Sequence, residues 1–277
     1  SVTDKCLWGS VIILGNGIVG AASGEANIEG VVSGYEFTKY GGSNNAENSG
    51  TLKYVSIRHT GTAVSPGNEL QGLTMGGVGS GTVIENIELI GSEDDGIEIF
   101  GGAVNVTNIV IANFDDDGID LDQAYDGTIS NAVVIMAPGS DTVFEIDGTE
   151  EPNNAIVGEY TIKNVTAYGR SDAAKFDTFG NWKSDATGFN ENVLFVDFPA
   201  STTLGGIDSD TYDGAGTAPI EGKLNFKDFI VVTSDSKATV VGGQVDEASA
   251  TWISVSTTRP SSKGADESVF GWTQFFN

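Results

Sequence analysis

Gly81-Thr-Val-Ile-Glu-Asn-Ile-Glu-Leu-Ile-Gly, Asp95-Gly-Ile-Glu-Ile-Phe-Gly-Gly, Val104-Asn-Val-Thr-Asn-Ile-Val-Ile, Asp117-Gly-Ile-Asp-Leu, Gly127-Thr-Ile-Ser-Asn-Ala-Val-Val-Ile and Val143-Phe-Glu-Ile are successive parts of one stretch, Gly72 to Ile146. They repeat one phrase: an apolar strand carrying an asparagine, a corner, then a short strand of alternating apolar and acidic residues. Asn86, Asn108 and Asn131 stand 22 and then 23 residues apart. A period in the low twenties with Gly, Asn and Asp corners is that of a parallel β-helix coil. The fold class that follows is all-β: a single-stranded right-handed parallel β-helix, a solenoid with inserted loops and a C-terminal cap.

The phrase extends outward in both directions. Leu52-Lys-Tyr-Val takes the place of Ile84-Glu-Asn-Ile, with Tyr54 where later coils carry asparagine. Ile162-Lys-Asn-Val, Phe189-Asn-Glu-Asn-Val and Phe226-Lys-Asp-Phe continue it, with Asn164 33 residues after Asn131 and Asn192 28 after Asn164. The wider spacings mark insertions, which in a solenoid project from one side. One domain is predicted, with residues 1–62 as first coils, 63–233 as regular coils with insertions, and 234–277 as the cap. In that cap Asp266 is the predicted N-cap of a short amphipathic segment, an apolar plug over the last coil.

Strand alternation places Ile87 and Leu89 inward, with Ile109 and Ile111, Ala132 and Val134, Val165 and Ala167, and Val193 and Phe195 as their equivalents. Stacked asparagines hydrogen-bond from coil to coil, so Asn86, Asn108, Asn131, Asn164 and Asn192 read as structural. Outward, Val110, Val133 and Leu194 form an apolar stripe that a loop, the tail or a partner has to cover.

The short strand carries a different message. Its outward column reads Thr74, Glu98, Asp120, Glu145 and then Lys175; the neighbouring column reads Phe100, Asp122, Asp147 and Asp177. Like charges stacked about 4.8 Å apart repel unless screened, protonated or bridged by a cation. Ca2+ is the natural bridge, because it accepts about six to eight oxygens. The candidate binding set is Glu98, Asp120, Asp122, Glu145, Asp147, Lys175 and Asp177, with Asp120, Glu145 and Asp147 as metal ligands. Asp94, Asp116 and Asp141, in register in the preceding turns, form a second candidate metal set. A solvated acidic face competes with the first reading, and ordinary Asp-Gly turn chemistry with the second.

The totals exclude several functions. Among 277 residues, 13 Lys and Arg against 39 Asp and Glu give −26, a charge that repels nucleic acid and anionic membranes. Cys6 is the one cysteine, so no intrachain disulfide forms, and His59 is the one histidine, which excludes a zinc site built on histidines and a histidine triad away from His59. No apolar run is long enough to span a membrane. The chain opens almost directly on the strand-like Leu7-Trp-Gly-Ser-Val-Ile-Ile-Leu, which predicts a mature or truncated form lacking its export segment and earlier coils.

Trp8-Gly-Ser-Val-Ile-Ile-Leu-Gly-Asn, Tyr40-Gly-Gly-Ser-Asn-Asn-Ala-Glu-Asn-Ser-Gly-Thr-Leu-Lys-Tyr-Val-Ser-Ile-Arg-His, Gly76-Gly-Val-Gly-Ser-Gly-Thr-Val-Ile-Glu-Asn-Ile, Asp94-Asp-Gly-Ile-Glu-Ile-Phe-Gly-Gly and Asp122-Gln-Ala-Tyr-Asp-Gly-Thr resemble the secreted or lipid-anchored right-handed β-helix proteins of marine Bacteroidota. The resemblance implies an extracellular or cell-surface β-helix and carries no catalytic residues over. Two functions then compete. One is a structural or adhesive module binding glycans or surface proteins, with Ca2+, and self-assembling as a homo-oligomer or filament through end-to-end stacking. The other is a Ca2+-dependent polysaccharide lyase with Lys175 as base, or a glycoside hydrolase using paired carboxylates. Without a recognisable catalytic set, the binding reading leads.

Overall fold

A computed structural model of the chain describes residues 1, 3–28, 35–64, 70–149, 158–170, 178–208 and 210–276. Its strands in chain order are β1 (Val11–Leu14), β2 (Ala26–Asn27), β3 (Lys39–Tyr40), β4 (Thr51–Arg58), β5 (Leu73–Gly76), β6 (Val83–Ser92), β7 (Ile97–Phe100), β8 (Asn105–Phe114), β9 (Ile119–Asp122), β10 (Thr128–Ile135), β11 (Phe144–Asp147), β12 (Tyr160–Tyr168), β13 (Gly180–Lys183), β14 (Gly188–Val196), β15 (Tyr212–Ala215), β16 (Leu224–Val232) and β17 (Ile253–Ser256). One sheet runs β1-β5-β7-β9-β11-β13; the other runs β4-β6-β8-β10-β12-β14-β16-β15, with β17 also beside β16. From β4 to β14 successive strands alternate between the two sheets, and their pairings are parallel, so the chain winds as the right-handed parallel β-helix that the repeat predicts. β2 and β3 pair antiparallel within an insertion between β1 and β4.

The inward columns are continuous. Leu73, Ile97, Ile119 and Phe144 stack in one, Met75, Ile99, Leu121 and Ile146 in the next, and all are buried. Each such side chain stabilises the fold by roughly 1.5–3 kcal/mol. Towards the C-terminal end the core turns aromatic, with Trp182 edge-on to Phe226 at 5.1 Å and Phe226 stacked on Trp252 at 4.4 Å.

The second sheet bends within each long strand, and the bend is where the asparagines sit. Asn86, Asn108, Asn131, Asn164 and Asn192 have φ of 58°, 58°, 61°, 58° and 56°. Asparagine tolerates this left-handed conformation better than most residues with a Cβ. Asn108 Nδ2 donates to Asn86 Oδ1 at 3.1 Å, Asn131 Nδ2 to Asn108 Oδ1 at 2.8 Å, and Asn192 Nδ2 to Asn164 Oδ1 at 2.7 Å. Tyr54 and Asp228 take the equivalent bends of the first and last long coils, with φ of 54° and 56°.

The C-terminal tail departs from the predicted plug. The core is closed instead by the short helix α1 (Lys237–Val241), whose Val240 and Val241 are buried in the main cluster, and by Trp252. The tail then runs back along the flank. Lys263 Nζ reaches Asp228 at 2.9 Å, and the Gly264 N–H donates to Asn192 Oδ1 at 3.0 Å. The Ala265 N–H donates to Thr166 Oγ1 at 2.9 Å, the Asp266 N–H to Asn131 Oδ1 at 2.7 Å, and the Gln274 N–H to the buried Glu88 Oε1 at 2.6 Å. Asp266 does cap the one-turn helix Glu267–Phe270, as predicted. Phe270 is buried against Val110 and Val133, so the tail covers the apolar stripe. The physical reason is simple: the stripe and the free faces of the asparagine ladder together satisfy more of the tail than the end of the core, which α1 already covers.

Two outcomes follow. Asn131→Ala, which loses the ladder bond and both bonds to Asp266 and leaves alanine at positive φ, lowers stability by about 2–4 kcal/mol, whereas Asn131→Gly recovers the conformational part; denaturant midpoints separate the two. Phe270→Ala costs about 3–5 kcal/mol and exposes Val110 and Val133 to a hydrophobic dye at ambient temperature.

Candidate functional site

The site is built on the outward side of the six-stranded sheet and on the turns leading into it. Parallel register fixes one outward column as Ile12, Thr74, Glu98, Asp120, Glu145 and Asn181. Leu14, Gly76, Phe100 and Asp122 follow in the neighbouring column, and further along it Asp147 pairs with Lys183. Glu98, Asp120 and Glu145 thus stack as the sequence predicts. The places opposite Glu145 and Asp147, where the repeat put Lys175 and Asp177, are held by Asn181 and Lys183. Residues 171–177 themselves lie outside the described residues.

Lys183, which the repeat did not single out, settles the charge of one half of the site. Its Nζ pairs with Glu145 and lies 3.3 Å from Asp147 Oδ2, while Ser184 Oγ donates to Asp147 Oδ1 at 2.6 Å. Burial alone would raise the Glu145 carboxyl, but the hydrogen bonds from Lys183 and Asp117 outweigh it and hold Glu145 below its ordinary range. Burial likewise opposes the charge on Lys183, and the two carboxylates overcome it and raise its pKa. The expected metal set Asp120, Glu145 and Asp147 therefore divides, because two of its members already have a cation.

In the turns, Asp95 and Asp117 form a second ladder. The Asp117 N–H donates to Asp95 Oδ1 at 2.9 Å, and Asp117 Oδ1 accepts from the Thr142 N–H at 2.7 Å and from Thr142 Oγ1 at 2.5 Å. The glycine after each aspartate is needed for packing: a Cβ on Gly96 would lie 2.1 Å from Ile111 Cγ2, and one on Gly118 2.8 Å from Val134 Cγ1. Burial is the main cause that pushes Asp117 up to about 8, against the Thr142 bond, and it holds its proton towards Glu145. Asp95 and Asp120 are also raised well above the ordinary range, first by burial and then by neighbouring carboxylates.

Asp94, Asp116 and Asp141 are not one cluster. Asp94 joins Asp95 and Asp116, and Asp141 joins Asp116 and Asp117, each trio having oxygens within 4.8 Å of one another. Asp94 also accepts a hydrogen bond from Gln71 Nε2 at 3.1 Å. The trio buried throughout is one that the repeat did not assemble: Asp95, Glu98 and Asp120, again within 4.8 Å, and all at most 8% exposed. Asp120 Oδ1 is buried with no hydrogen-bond partner. A buried polar atom left in that state is costly. The missing sequence signal was Asp95, which reads as turn chemistry until the register folds it over Glu98.

Metal-free stability therefore depends on pH. Asp117 binds its proton up to about 8 in the folded chain and to near its ordinary value when unfolded. The folded state holds the extra proton between those values, so its stabilising effect is complete below the unfolded pKa and is lost as pH rises through about 8. In a chelator, the melting temperature falls between pH 5 and pH 8.5, and Asp117→Asn flattens that slope. A flat profile for the parent chain would refute the raised Asp117.

The model of a family described as a pectate-lyase-like β-helix domain matches residues 1–276. No curated protein and no solved structure shows a significant match.

Proposed function

The chain belongs to the pectate-lyase-like β-helix domain family, and from that premise we propose that it is an extracellular or cell-surface binding module that holds Ca2+ at Asp95, Glu98 and Asp120 and engages glycans on that face. The observation that carries the reading is the buried, unpartnered Oδ1 of Asp120 among carboxylates already crowded within 4.8 Å. Protons or a cation relieve such a cluster, and a hard divalent ion suits a donor set made entirely of oxygen. A bound ion that keeps open positions can take sugar hydroxyls or uronate carboxylates, which overcomes the repulsion of a −26 surface.

The lyase reading is weaker. A lyase needs an unprotonated base, and the described lysine on this face, Lys183, is held protonated by Glu145 and Asp147. The hydrolase reading needs paired carboxylates with an accessible acid, and the raised acid on this side, Asp117, is 3% exposed and engaged by Thr142. Association through the ends of the solenoid is part of the same proposal, and at the C-terminal end Val240 and Val241 of α1 pack into the core.

Calcium titration tests the reading directly. Ca2+ raises the melting temperature at pH 7.5, Mg2+ does so less, and Asp120→Asn lowers Ca2+ affinity at least about tenfold. Equal melting in Ca2+ and chelator would sink it. Release of unsaturated or reducing ends from alginate or pectate would restore the enzyme reading.

A further inference from the structure

Tyr35 and Phe37 are 54% and 76% exposed, whereas the neighbouring Tyr40 and Phe100 are buried in a cluster with Val19 and Ile28. The exposed pair is ordered by its surroundings. Their rings stack with centroids 5.1 Å apart and planes at 26°. Thr38 pins the turn that presents them, its N–H and Oγ1 donating to the Tyr35 carbonyl at 3.1 and 2.7 Å, and Oγ1 also lying 3.1 Å from Asn27 Oδ1. Beside Phe37 is a cavity of about 220 Å³ lined by Ile12, Leu14, Ile28, Phe37 and Thr38. Among the described residues its lining is uncharged, in a chain of net charge −26.

The position of this cavity matters as much as its chemistry. Ile12 and Leu14 are the outward residues of β1, and they head the same two columns that continue through Thr74 to Glu98 and through Gly76 to Phe100. The aromatic pair thus stands at the first coil of the face whose third and fourth short strands carry the carboxylates. At about 4.8 Å per coil, Ile12 and Asp120 are about 14 Å apart, a separation that an oligosaccharide spans and a single sugar does not.

We propose that Tyr35, Phe37 and the cavity beneath them form a subsite for one pyranose ring of a glycan, stacking on its C–H face. The inference rests on the reading that this face binds glycans, and it adds the location of an apolar anchor. Pyranose rings combine an apolar face with a hydroxyl rim. That combination suits a small apolar floor edged by the Thr38 hydroxyl and by an exposed tyrosine, since ligand sites are mostly apolar and aromatic with a few polar groups that orient. None of the described lining residues offers a counter-charge to a phosphate or a charged peptide side chain.

The test uses the whole chain with Ca2+ and three probes, cellohexaose, mannohexaose and hexagalacturonate, measured by calorimetry. One of the hexasaccharides binds; Phe37→Ala weakens it about tenfold at unchanged melting temperature, and Phe37→Trp retains it. If Phe37→Ala binds as the parent does while Asp120→Asn or a chelator abolishes binding, the subsite is wrong and the carboxylate site stands. If Phe37→Ala abolishes binding while Asp120→Asn and the chelator change nothing, the subsite stands and the cation reading falls. Binding of none of the three overturns the subsite.

Discussion

Each coil of this chain is held to the next by groups that only a neighbouring coil can satisfy. Parallel strands offer their backbone donors and acceptors sideways, and at the bend of each long strand an asparagine in the left-handed conformation offers its amide in the same direction. A residue with an ordinary side chain would resist that conformation, and a glycine would accept it but make no bond. The asparagine does both, and it locks the register of every other column. Once register is locked, like residues stack, for better in the core and for worse among charges.

The cost falls on the acidic columns. Repetition places Glu98, Asp120 and Glu145 one above another, and the protein relieves the repulsion differently at each level. Glu145 and Asp147 have Lys183. Asp117 keeps its proton and accepts two bonds from Thr142. Asp120 is left with a buried oxygen that no group of the described chain satisfies. The stack is neutralised on one side and left open on the other, and the open side is where the proposed divalent cation would sit.

The C-terminal tail shows the same ladder used twice. Asn131 and Asn192 bond along the solenoid and also accept from the backbone of the tail, so the side chains that hold the coils together dock the strap across them. Phe270 then covers Val110 and Val133, whose outward positions would otherwise leave an apolar stripe in water. Glu88, 1% exposed, takes Arg58 at 2.6 Å and the Gln274 N–H, closing the strap at the far end with a charge-assisted bond.

What the sequence determined by itself was everything with a period. The helix, its inward pairs, the asparagine ladder and the stacking of Glu98 with Asp120 and Glu145 follow from a repeat of 22 or 23 residues, because neighbouring coils of equal length must align. The apolar stripe was legible too, as was Asp266 as a cap, but not the path of the tail, which depends on two surfaces far apart in the chain. Where the repeat lengthens, the long strands stay legible through Asn164 and Asn192, but the short strand does not. Lys175 and Asp177 looked like the next residues in their columns, and only the tertiary register showed Asn181 and Lys183 there, since an insertion changes which residue arrives opposite Glu145 without leaving a mark in local pattern. Asp95 was visible only as a turn residue, and the folding of that turn over the short strand made it the third member of a buried carboxylate cluster.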